Sequence, residues 1–270
     1  MIVRFFGSLV AIFLFATVAN GQAQVTLAMD HLELSELIHI MRTEGLEYAA
    51  TLNTEMLNGQ GGAVWEDQID AIYDTQLMSE VVRKEIATIP ENQLRQINQF
   101  YGSNLGAKIV DLEIAARNAM TDNDIKNIAE DNYQIALAKD PKSLLQVNLM
   151  VSEGDLIEQN VTAALTSNYR FYLGLVDGGS FDASEQEVIE QTWEQEDEIR
   201  LDTVKWMMGY LLLSYQSLDE AEMIELINFM KTRAGRALNA AIFDGFGAMY
   251  GDISYTLGRA VALNMVASDL

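Results

Sequence analysis

The sequence predicts an all-α protein, a helical bundle built from two tandem, structurally similar helical repeats. Three observations carry this. One helical motif occurs twice, as Leu94–Met120 and Met223–Met249, and its landmarks Phe100 and Phe229, like Gly106 and Gly235, are 129 residues apart. Only two prolines, Pro90 and Pro141, occur in 270 residues, and proline is what breaks helix interiors. Apolar residues recur at i, i+3 and i+4 spacing over most of the chain.

Residues 1–23 read as a secretory signal peptide. Arg4 supplies the positive start, Phe5 to Val18 is apolar, and Ala19-Asn20-Gly21 or Gly21-Gln22-Ala23 offers small residues for cleavage. The apolar run is shorter than the ~20 residues of a spanning helix, which argues against an uncleaved anchor. No later run reaches that length, so no stable membrane insertion is expected after cleavage. The first repeat is placed at 24–140 and the second at 141–270, and no Pro/Gly/Ser-rich joint separates them near residue 140.

Asp30 to Leu57 reads as a helix, Asn58–Gly62 as a loop, and Val64 to about Ala87 as the next helix. The core motifs follow at 88–120 and 217–249. Each opens on a candidate capping box, Thr88-Ile89-Pro90-Glu91 or Ser217-Leu218-Asp219-Glu220, with Pro90 in the first turn. A helix ends at Phe100-Tyr101 or at Phe229-Met230, and Ser103 or Thr232 is placed to cap the next one. Gly106 and Gly235 then fall in its first turn. Glycine there costs about 1 kcal/mol relative to Ala, so its double appearance points to close backbone packing.

Upstream, Trp65 pairs with Trp193, and Asp74-Thr75 with Asp202-Thr203, each at 128. This extends the repeat and predicts a tandem duplication. Thr121–Asp124 caps a helix to about Lys139, and Asp140-Pro141 starts another that runs to Val176 with a break near Gly154. Asp177–Ser180 is a loop, and Asp182-Ala183-Ser184-Glu185 a capping box that opens a long helix to about Gln216. Val204–Tyr215 within it is apolar on nearly every face, which marks a core or an interface. Tyr250–Leu270 continues as helix.

The unit Phe100-Tyr101-Gly102-Ser103-Asn104-Leu105-Gly106 resembles the recurrent core of the Domain of Unknown Function 2059 family, exported bacterial helical proteins in which a capped helix ends in Phe-Tyr before Ser-Pro-x-Gly and a second helix. Asn104 stands where that family favours Pro, and the second copy, Phe229 to Gly235, lacks both the Tyr and the Pro. The resemblance implies an all-helical exported protein and, the family being Gram-negative, a periplasmic one. It implies no reaction. Phe100, Tyr101, Ser103, Gly106, Phe229, Thr232 and Gly235 are accordingly motif residues with a structural role.

Without residues 1–23 the chain has 16 basic against 40 acidic side chains, a net charge of −24. Such a surface repels nucleic acid and anionic lipid. The absence of cysteine removes disulfides, thiolate nucleophiles and thiolate metal sites. His31 and His39 are eight residues apart, about 12 Å along a helix, too far for an i, i+4 zinc pair. The acidic run Glu185, Glu187, Glu190, Glu194, Glu196, Asp197, Glu198 reads as a solvated face. No catalytic, metal or cofactor-binding residue is assigned.

The expectation is therefore a periplasmic binding or interaction module whose partner is another envelope protein or a small apolar ligand. A closed cavity lined by Phe243, Phe246 and Tyr172 favours the small ligand. Exposed apolar surface on Val204–Tyr215 favours a protein partner or a homodimer. The competing readings are a hydrolase-type enzyme using acidic residues in an inter-repeat cleft, which needs two facing buried carboxylates, and a structural homo-oligomeric envelope protein.

Overall fold

The helical periodicity of the sequence becomes helix almost throughout. The computed structural model describes residues 21–139 and 144–268, and these contain no strand. The chain begins with α1 (21–31), followed by α2 (Leu34–Met56), α3 (Gly62–Ile72), α4 (Thr75–Ile86), α5 (Glu91–Tyr101), α6 (Asn104–Ala119) and α7 (Asn123–Lys139). Then come α8 (Leu145–Gly154), α9 (Leu156–Asp177), α10 (Glu185–Trp193), α11 (Glu196–Tyr215), α12 (Glu220–Met230) and α13 (Arg233–Ser268). The expected signal peptide up to residue 20 and the helix start expected at Asp140-Pro141 lie outside the described residues. None of the described helices is long and apolar enough to cross a membrane.

Breaks occur where a polar group satisfies the freed backbone or where a residue takes the left-handed conformation. The helix read as continuous from Val64 to Ala87 is two, because Asp74 takes an extended conformation and accepts from the amides of Gln76 and Leu77 at 2.8 and 2.9 Å. Arg42 donates to the Tyr73 carbonyl at 2.6 Å and so caps the end of α3. The helix expected from Asp30 is broken at Glu33, which is left-handed at φ 47°. Asp155, at φ 50°, makes the break expected near Gly154.

The capping boxes sit two residues later than the sequence pattern placed them. Ser184 pairs with Glu187 and Asp219 with Glu222. In the first motif Thr88 donates to the Glu85 carbonyl at the end of α4, and Pro90, without a side-chain cap, is the N-cap of α5. Burial selects this register. It places Ile89 and Leu94 in one core, and Leu218 and Met223 in another, as the apolar residues that flank a helix start and staple the entering chain to its first turns.

Two hydrophobic cores form, and neither belongs to one half of the sequence. The first draws on α1 to α5 and on α13, with Ile38, Val82, Ile97, Leu257 and Val261 almost fully buried. The second is built from α6, α7, α8, α11 and α12, around Ile109, Leu144, Met208 and Leu226. The helix after each bend thus crosses over: α6 leaves the first half for the second core, and α13 leaves the second half for the first. Gly174 and Gly258 let α9 and α13 touch closely, since a Cβ on either would lie 2.2 or 2.1 Å from a carbonyl of the other helix.

Val204–Tyr215 resolves to core, with Met207, Met208, Leu211 and Tyr215 buried within the second cluster. The upstream matches do not share a structure either. Trp65 is 3% exposed in the first core, whereas Trp193 is 57% exposed at the end of α10. Asp74 separates two helices, while Asp202-Thr203 lies inside α11.

Candidate functional site

The two bends are locally alike. Ser103 Oγ accepts from the Gly106 amide at 3.0 Å and donates to the Phe100 carbonyl at 2.6 Å. Thr232 Oγ1 accepts from the Gly235 amide at 2.9 Å and donates to the Phe229 carbonyl at 2.7 Å. One hydroxyl thereby closes the end of one helix and opens the next. The turn is so tight that a Cβ on Gly106 or Gly235 would lie 2.2 Å from the Phe100 or Phe229 carbonyl oxygen.

The crossover brings the bends together. Phe100 and Phe229 stack at 4.0 Å with their planes 6° apart. Tyr101 stands edge-on to both, at 5.1 Å from Phe100 and 5.5 Å from Phe229. Such pairs contribute roughly 0.5–1.5 kcal/mol each beyond burial. Lys108 on α6 ties the seam to the second capping box through both Glu222 oxygens at 2.7 Å. That contact holds the Glu222 carboxyl below its ordinary range.

Beside this aromatic seam lies a pocket of about 300 Å³. Of the seven motif residues, Tyr101, Phe229 and Gly235 line it, while Phe100, Ser103, Gly106 and Thr232 shape the bends behind. Phe243 and Phe246 line it as the sequence suggested, but Tyr172 does not. Tyr172 faces a separate cleft with Tyr48, Tyr73 and Tyr250, because α9 packs against the opposite stretch of α13.

The chemistry of the pocket centres on Glu113, which the sequence reading missed. Tyr215 donates its hydroxyl to Glu113 Oε1, and Tyr210 donates to the Glu113 backbone carbonyl at 3.3 Å. Burial pushes the Glu113 carboxyl up to about 7, against the smaller lowering effect of the Tyr215 hydrogen bond. Burial and then the Glu113 charge raise Tyr101, Tyr210 and Tyr215 well above the ordinary phenol range. The pocket's other carboxylate, Glu153, is exposed and pairs with Lys231 at 3.5 Å. Glu113 and Glu153 are thus not two buried carboxylates. Glu113 had a sequence signal: it interrupts the stripe Ile109, Ala116, Met120, all of which are buried.

Residues weighed for other chemistry sit elsewhere. His39 contacts the Ser35 carbonyl at 2.7 Å, and His31 packs against Gly102. In the acidic run, Glu187 caps α10, Glu185 accepts from Tyr169 and Glu196 pairs with Arg200. No family model, curated protein or solved structure matches the chain.

Proposed function

We propose that the chain is an exported, periplasmic binding protein that holds a small, mainly apolar molecule between its two bends without transforming it. One observation carries this reading. The pocket of about 300 Å³ is lined by both motifs, by Phe243 and Phe246, and by few polar groups. Pre-formed apolar pockets with a few placed polar groups are the usual form of small-molecule sites. An apolar cavity of about 150 Å³ accepts benzene, so this one suits a fused bicyclic ring system or a comparable skeleton. The Arg4 start and the apolar run from Phe5 support export. The matched bends support duplication of one helix–bend–helix unit and kinship with the exported family that the motif resembles.

The hydrolase-type reading ranks below this one because the pocket's second carboxylate, Glu153, is exposed and paired with Lys231 rather than buried beside Glu113. The homo-oligomeric envelope reading ranks below it because Val204–Tyr215 is spent inside the chain. Native mass spectrometry of protein exported by its own host tests the proposal. A non-covalent adduct, on a chain beginning near Gln22 or Gln24, is the expected result. A bare chain that also takes up no apolar probe sinks it.

A further inference from the structure

Tyr101 and Glu113 reach the pocket with hydrogen-bonding capacity to spare, whereas its other carboxylate, Glu153, is exposed and pairs with Lys231. Glu113 has one oxygen engaged by Tyr215, and no group among the described residues is bonded to the other. Tyr101 lines the same pocket with its ring held edge-on by Phe100 and Phe229, and its hydroxyl has no hydrogen-bond partner among the described residues. Both residues are only part-buried and line the pocket, so a molecule that fills it displaces the water these groups meet there and must replace its hydrogen bonds. Both offer a proton. The phenol is un-ionised, and burial keeps a protonated fraction of Glu113 at neutral pH. Arg236 also lines the pocket, but its guanidinium is engaged with the Lys231 carbonyl and the residue is exposed.

Resting on the binding function proposed above, we infer that the ligand is an uncharged apolar molecule carrying a carbonyl group, whose oxygen accepts from the Tyr101 hydroxyl and the Glu113 carboxylic acid. Two donors in the lining of one mainly apolar pocket favour an acceptor oxygen over a plain hydrocarbon. Burying either a bare carboxylate or an ammonium beside them carries a heavier desolvation cost.

The test is calorimetric titration of the signal-free protein at about pH 6, where Glu113 is mostly protonated. The probes are tetralin, its ketone α-tetralone, anionic 1-naphthoate and cationic 1-aminotetralin. The ketone is expected to bind about tenfold more tightly than tetralin, the order of magnitude for two shared hydrogen bonds. Tyr101→Phe should reduce the ratio of ketone to tetralin affinity, both measured on the variant, about threefold. Glu113→Gln, which keeps an N–H donor, should retain the preference, Glu113→Leu should reduce it about threefold, and the double variant with Tyr101→Phe should lose it. Equal affinity for ketone and hydrocarbon overturns the inference and leaves the binding function standing, and so does tighter binding of either charged probe. If no probe binds, the binding function falls and the inference falls with it.

Discussion

Phe100 and Phe229, 129 residues apart in sequence, lie face to face at 4.0 Å and 6° from parallel. Each closes the helix before a bend. Phe100 packs with the second core and Phe229 with the first, so the stack is the seam across which the two cores exchange helices. A double-mutant cycle with Phe100→Leu and Phe229→Leu should give a coupling of about 1 kcal/mol in chemical denaturation. Strict additivity would show that the rings contribute by burial alone.

Gly106→Ala and Gly235→Ala should each destabilise by about 1–3 kcal/mol, because the new Cβ meets backbone that cannot move aside, 2.2 Å away. Gly247→Ala is the control. It lies in α13 with nothing within 4 Å of its Cβ, and it should stabilise by up to about 1 kcal/mol. Thermal melts of the three variants decide this, and similar losses in all three would refute the close approach.

The register of the second helix start is tested at two residues. Asp219→Ala should cost about 1 kcal/mol, since its carboxylate accepts from the Glu222 amide at 2.9 Å. Ser217→Ala should be nearly silent. A reversed order in urea titrations would restore the cap that the sequence pattern suggested.

Glu113 makes stability depend on pH with a definite sign. Its folded-state value of about 7 lies above the ordinary 4.5, so the fold prefers the protonated form. That contribution is fully present below 4.5 and is lost as pH rises through 7. The loss amounts to about 3 kcal/mol. Glu113→Gln should flatten the profile and be the more stable protein at about pH 8. Tyr215→Phe removes a donor that favours the carboxylate and should carry the decline to higher pH. Denaturation midpoints across this window would expose the idea as wrong if wild type and Glu113→Gln ran parallel.

Helix class, the bend and its hydroxyl cap at Ser103 and Thr232, and the demand for glycine at 106 and 235 were legible in sequence. All are interactions within a few residues, and spacing reports them directly. The cap registers at Pro90, Ser184 and Asp219 were misread by two residues, because overlapping acidic and hydroxyl patterns fit either frame. Burial of residues such as Ile89 and Leu218 chose between the frames. Trp65 and Trp193 matched in spelling and differ in burial, because their helices pack against different neighbours.

The sequence by itself determined that this chain is helical, where it bends, and that the bend occurs twice, since those outcomes depend on local capping and backbone sterics. Only the tertiary structure decided that α6 and α13 change cores, that Phe100 meets Phe229, and that Glu113 lies in an apolar wall with Tyr215 on one oxygen. The physical reason is that burial is a property of all the helices together. A carboxylate on a helical stripe reads as solvated until a partner helix more than a hundred residues away closes over it.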